Sequence, residues 1–133
     1  MRHVIAALLI AAITSSCSDL SISLSKDARL VQLAGGTWAI VSEERDFLVY
    51  PNVTALTCRG DIAFGVRELA TNNTDYSEPF TSGLGYFLLF PESGAVLQGL
   101  SRDELVDALA GSDVEFREPH RIVSWQRSIN GCG

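Results

Sequence analysis

Little in this chain is suited to metal or acid–base chemistry. It holds two histidines, His3 and His120, and three cysteines, Cys17, Cys58 and Cys132, among 133 residues. Metal centres need clustered His, Cys and carboxylate side chains, and the densest candidate is Asp113, Glu115, Glu118 and His120. Asp113, Glu115 and Arg117 share one strand parity, while Glu118 and His120 fall on the other beside Pro119, so the set reads as a solvated edge. No spaced Asp/Asn loop with a closing Glu offers itself to calcium. Ser82, in Thr81-Ser82-Gly83-Leu84-Gly85, lacks the glycine pattern of a nucleophile elbow and has only His120 as a base, so it reads as part of a flexible turn. Glu43, Glu44 and Asp46 sit together in a short polar stretch that reads as a solvated turn and not as an acid/base pair. Gly35-Gly36 stands without the third glycine or lysine of a phosphate cradle. The expectation is a non-enzyme with no catalytic residues, no metal and no cofactor.

Lysine is also scarce. Lys26 stands alone against nine arginines, a usage that fits a GC-rich bacterial genome. Acids outnumber bases, for a formal net charge of −6. Without the first sixteen residues, which carry Arg2 and no acid, 9 basic side chains face 16 acidic ones, a charge of −7. Such a surface repels nucleic acid and anionic headgroups, so no nucleic-acid partner is expected. A long hydrophobic span is missing too: the apolar run Val4–Ile13 is ten residues, which as a helix reaches about 15 Å, roughly half a bilayer's hydrocarbon core. Preceded by Arg2 and followed by the small residues Thr14-Ser15-Ser16, residues 1–16 read as a secretory signal peptide.

The segment Ile13-Thr14-Ser15-Ser16-Cys17 resembles the lipobox of bacterial lipoproteins, with Thr14 where that family prefers Leu. The resemblance implies that Cys17 is acylated and becomes the new N-terminus, holding the protein to a membrane by its lipid. Ser18 in place of Asp after the cysteine implies sorting to an outer membrane, facing the periplasm. Cleavage at Ser16 or earlier by the ordinary peptidase is the alternative, and would give a soluble periplasmic or secreted protein. Cysteine arithmetic bears on the choice, because an exported chain with an odd count must account for the odd thiol. With Cys17 lipidated, Cys58 and Cys132 remain to pair in an oxidising compartment. Two buried free thiols are the other possibility.

Beyond Cys17, the residues Ser18-Asp19-Leu20-Ser21-Ile22-Ser23-Leu24-Ser25-Lys26 carry four serines in nine positions and read as a tether. Their alternation would equally suit a short edge strand. The expected organisation is signal peptide 1–16, lipidated cysteine and polar tether 17–29, and one domain over 30–133. Inside the domain, Thr37–Val41 and Phe47–Tyr50 read as a hairpin across Ser42–Asp46, and Ala55–Cys58 and Ile62–Val66 as a second across Arg59-Gly60-Asp61. The stretch from Glu68 to Ser77 reads as a polar loop. Tyr86–Phe90 is apolar throughout, hence a strand buried on both faces, turned by Pro91–Gly94 into Ala95–Gln98.

Ser101 and Glu104 form an S-x-x-E capping box, and Leu100 and Leu105 are spaced for a hydrophobic staple. Gly111 is the expected stop, so Ser101 to Ala110 is a predicted helix with Leu105, Val106 and Leu109 inward. Val114–Arg117 and Arg121–Trp125 read as closing strands around Pro119. The sum is a small single α+β domain, mostly antiparallel sheet with one short helix.

Two short echoes concern binding. Gly36-Thr37-Trp38 resembles the opening of lipocalins and of small barrel-shaped lipoprotein inhibitors, and Ser82-Gly83-Leu84-Gly85-Tyr86 resembles a segment of periplasmic lysozyme inhibitors. Each covers a few residues, and the predicted helix stands where such barrels continue as strands, so neither assigns a family. Trp38 reads as core. Asn52-Val53-Thr54 and Asn72-Asn73-Thr74 match the glycosylation pattern, which is without meaning in a bacterium. The expected role is a non-catalytic module that binds an envelope protein or serves structurally, with an enzyme inhibitor or immunity-type protein as the alternative and a small hydrolase behind both.

Overall fold

The computed structural model describes residues 21–70, 77–123, 128–129 and 131–132. Period-two alternation builds the first sheet. Ser21-Ile22-Ser23-Leu24-Ser25 sends Ile22 and Leu24 to one side and its serines to the other, forming β1 (Ser21–Ser25), which turns through Lys26 and Asp27 into β2 (Ala28–Gln32). β3 (Trp38–Ser42) and β4 (Phe47–Val49) complete an antiparallel sheet of order β1-β2-β3-β4. The expected tether over residues 17–29 is therefore corrected: within the described part, the ordered sheet already runs from Ser21. Ile22 is 5% exposed, and Ala28 and Leu30 are fully buried. Few apolar residues suffice because pairing with β2 satisfies backbone groups that a tether would leave to water.

β5 (Val53–Arg59), β6 (Ile62–Arg67), β7 (Gly85–Phe90) and β8 (Ala95–Leu100) form the second antiparallel sheet in that order, and α1 (Arg102–Ala110) follows. The apolar run of β7 is divided between two cores. Phe87 and Leu89 join Ile22, Leu30, Trp38, Ile40, Val49, Leu56 and Ala63 between the sheets. Leu88 faces the other way, with Phe64, Ile62, Leu105 and Leu109, under the helix. The layers are sheet, sheet and helix, in one small domain. The described residues hold eight strands and one nine-residue helix, a small domain of mostly antiparallel sheet with one short helix as expected, but largely β where α+β was expected. Gly65 lets its neighbours within the second sheet crowd against β6: a Cβ there would collide with the Ala55 carbonyl of β5 and lie 2.8 Å from Phe87 Cζ of β7.

The helix forms for the expected reason. Ser101 Oγ accepts the Glu104 N–H at 3.1 Å and Glu104 Oε1 accepts the Ser101 N–H at 3.0 Å, the reciprocal bonds of a capping box. The Ser101 backbone N–H first, then the Ser101 hydroxyl, holds the Glu104 carboxyl below its ordinary range. A depressed folded-state value means that this contribution is present above the ordinary carboxylate pKa and is lost as pH falls through the folded one. The helix ends at Ala110 with Gly111 as its C-cap, as expected, but the left-handed residue lies further on. Gly111 keeps right-handed helical φ (−63°), and Asp113 takes the left-handed position at φ 57°. Asp113 N–H reaches the Ala110 carbonyl at 3.1 Å and Val114 N–H that of Leu109 at 3.0 Å, a Schellman pair with Asp113 in the place glycine usually occupies. Since Asp tolerates that conformation better than a β-branched residue does, Asp113→Val should be less stable than Asp113→Gly by about 1–2 kcal/mol. Equal urea midpoints for the two would refute this.

The predicted strand Val114–Arg117 is absent. Val114 and Phe116 instead pack against the second core, with the Phe116 ring 6.2 Å from that of Tyr86 and 4.5 Å from the Arg102 guanidinium. Alternation reports one-sided burial, and a chain crossing the flank of a helix satisfies it without a neighbouring strand. Of the second predicted strand, Arg121 makes an isolated bridge to Ala55, flanked by bonds from the Leu56 N–H to the His120 carbonyl (2.8 Å) and from the Ile122 N–H to the Thr54 carbonyl (3.0 Å). Residues 124–127, including Trp125, lie outside the described part.

Candidate functional site

An arginine with almost no solvent contact organises the surface of greatest interest. Arg67 ends β6 and is 1% exposed. Its Nε donates to the Pro51 carbonyl at 2.9 Å, Nη2 to those of Pro79 (2.9 Å) and Phe80 (3.0 Å), and Nη1 to that of Ser82. Among the described residues no carboxylate forms an ion pair with it. The buried cation is stabilised by carbonyl dipoles in a planar fork that lysine could not reproduce. Burial draws its pKa down from the ordinary value, and the nearby Tyr50 opposes the shift. The consequence is mechanical: the loop after residue 77 is fastened to the end of the two sheets at three points.

Aromatic side chains surround this clamp. Phe80 packs edge-on to Tyr50 at 5.2 Å and to Phe47 at 6.5 Å, Phe47 and Tyr50 lie 4.7 Å apart, and the Arg67 guanidinium sits 6.0 Å from the Tyr50 ring. All three rings are half-buried. Part of each is thus presented to solvent beside the loop that Arg67 fastens.

Elsewhere, three turns meet to form an acidic groove of about 510 Å³, in which Asp27, Glu43, Glu44, Asp46 and Glu92 are joined by Leu48 and Gly94. Ser25 Oγ donates to the Pro91 carbonyl at 3.2 Å and fastens the β1–β2 turn to the β7–β8 turn. The carboxylates predicted as a solvated turn are there, with Asp27 and Glu92 added by tertiary structure.

The other residues that the sequence singles out scatter when placed in three dimensions. Cys58 and Cys132 are disulfide-bonded, with Cα atoms 5.2 Å apart. Cys17 lies outside the described residues, as do Asn72 and Asn73. Trp38 is core, 5% exposed. Ser82 gives its carbonyl to Arg67, while His120 is exposed beside β5 and bonds through its backbone N–H to Thr57 Oγ1 at 3.1 Å. Glu118 accepts from the Tyr86 hydroxyl at 3.1 Å and lies 3.7 Å from Arg102. Burial, then the bond to Glu118, raises the Tyr86 pKa. No group of three or more His, Cys, Asp or Glu side chains able to hold a metal ion occurs among the described residues.

No family model, curated protein or solved structure matches the chain. Its surface must therefore be read from its own chemistry. On that basis the Arg67 clamp is the feature that the sequence does not announce. An arginine closing Ile62-Ala63-Phe64-Gly65-Val66 has the look of any solvated strand end, and only the carbonyls of a distant loop give it its place.

Proposed function

We propose that the chain is an exported bacterial envelope lipoprotein, acylated at Cys17, whose domain binds another protein and performs no catalysis. The observation that carries the protein-binding half is the Arg67 clamp. It fixes a loop beside Phe47, Tyr50 and Phe80, and pre-organised loops with aromatic anchors lose little entropy on docking. The acidic excess suits a cationic partner. A clamped loop also favours the narrower reading of an enzyme inhibitor, which must present one contact segment without rearrangement. For the anchoring half, the Cys58–Cys132 bond leaves Cys17 as the odd cysteine, at the end of the export signal. An outer-membrane location facing the periplasm rests on Ser18.

Two measurements test the two halves. The intact mass of membrane-extracted protein is expected to equal residues 17–133 plus acyl chains, and Cys17→Ser should abolish the acyl mass and leave the full-length chain or a soluble product cut elsewhere. A soluble wild-type chain without acyl mass would sink the anchor. A photo-crosslinking residue in place of Phe80 is expected to capture one discrete envelope protein that the same residue in place of Asp61 does not. Identical adducts from both positions would reject the clamped loop as the contact.

A further inference from the structure

The first sheet is polarised from end to end, and the chain leaves it at one particular end. β1 starts at Ser21, whose register partner is Val31, near the close of β2. Beside it lies the β2–β3 loop, Leu33-Ala34-Gly35-Gly36-Thr37, and the stretch from Gln32 to Val41 carries no charge. The loop is closed on itself: Leu33 N–H bonds to the Thr37 carbonyl at 2.7 Å, Gly36 N–H to the Leu33 carbonyl at 3.0 Å, and Gln32 Nε2 to the Gly36 carbonyl at 3.2 Å. Gly35 and Gly36 take φ of 92° and 89°, which lets the turn project Ala34 outward without strain. Arg29 reaches back to Ser21, its Nη2 2.6 Å from the serine Oγ. The opposite end holds the β1–β2 and β3–β4 turns, with four carboxylates of the acidic groove, Asp27, Glu43, Glu44 and Asp46, against two cations, Lys26 and Arg45, and Glu92 of the β7–β8 turn joins them from the second sheet.

Only Ser18, Asp19 and Leu20 separate Cys17 from Ser21, so Ser21 stands at most about 14 Å from an acylated Cys17 even if that stretch is fully extended. We infer that the domain docks directly on the bilayer with its β2–β3 loop and Arg29 against the headgroups, and holds the acidic groove away from the membrane. This rests on the acylation proposed above. Geometry and charge agree on the orientation. β1 spans about 14 Å from Ser21 to Ser25, so the loop-down pose puts the carboxylates beyond the Debye length of roughly 8 Å at physiological salt. Tipping the groove onto an anionic surface would bring them inside it. Near the anchor, Asp19 and Arg29 cancel in formal charge, and the uncharged loop meets no comparable repulsion.

The test uses the acylated full chain in vesicles of phosphatidylethanolamine and phosphatidylglycerol carrying a lipid-borne quencher. An environment-sensitive fluorophore is placed at Ala34→Cys in one preparation and at Glu44→Cys in another, and each is checked by intact mass. Quenching severalfold stronger at position 34 than at 44 is the expected result. Equal quenching in chains that carry acyl mass overturns the docking and leaves the anchor standing. Chains that lack acyl mass overturn both.

Discussion

Replacing Arg67 with methionine is expected to cost about 3 kcal/mol of unfolding free energy. Two effects oppose each other. Removing a cation from a site with no carboxylate partner among the described residues relieves its desolvation penalty, and methionine fills much of the same space. Against that, the carbonyls of Pro51, Pro79, Phe80 and Ser82 lose their donor together, and an acceptor left unsatisfied in a buried position costs about 1–3 kcal/mol. Four acceptors against one cation decide the sign. Arg67→Lys keeps the charge but offers a point donor in place of a fork, so it should recover less than half of the loss. The measurement is the urea midpoint at unchanged m, together with the rate of proteolysis in the loop after Ser77. A loss under about 1 kcal/mol with an unaltered cleavage rate would show that the loop is held by its aromatic contacts instead.

The same pair of variants bears on the proposed binding. If the clamp serves pre-organisation, Arg67→Lys should weaken partner capture through Phe80 while the domain remains folded, because the loop acquires freedom that docking must remove. Unchanged capture in a folded Arg67→Lys protein would place the contact elsewhere.

Much of this fold is legible along the chain wherever a local rule decides the structure. The hairpins β3–β4, β5–β6 and β7–β8 each join apolar runs across turn residues, and pairing needs little else. Ser101 and Glu104 write the start of α1 in four residues. Its end at Gly111 is legible too, but not that the left-handed position beyond it falls to Asp113. β1 is legible only as an alternative: the alternation of Ser21 to Leu24 suits an edge strand as well as a tether, and what decides it, burial against β2, β3 and the second sheet, is not local. Val114 and Phe116 give the converse error, an alternation satisfied by Tyr86, Arg102 and the helix flank. Both surfaces of interest escape a reading along the chain because they are tertiary. The acidic groove gathers Asp27, Glu43–Asp46 and Glu92 from three turns, and the Arg67 clamp spans 12 to 16 residues of sequence.

Loss of the Cys58–Cys132 bond is expected to cost still more, about 4 kcal/mol in the chain-entropy model for a closed loop of this size. The bridge spans a sequence separation of 74 and connects β5 to the turn that carries Ile129 and Cys132. That turn packs at close range: a Cβ on Gly131 would overlap the Cys58 carbonyl, and Gly131 adopts φ 77°. Ile129 and Cys132, 3% and 6% exposed, belong to the core between the sheets, so opening the bond also loosens the packing that Ile129 supplies. The paired variant Cys58→Ala/Cys132→Ala measures the bond without leaving a lone thiol. Gly131→Ala crowds the same contact with the bond intact and should cost less, and combining it with the paired variant should cost less than the sum, since both act on one packed contact. Domains of this size have about 5–15 kcal/mol in all, so a loss near 4 leaves a protein that is folded in an oxidising compartment and readily degraded in a reducing one. If the paired variant shifts the urea transition by less than about 1 kcal/mol, the terminal turn is held by Ile129 and the packing at Gly131, and the bond adds no more than a local clasp.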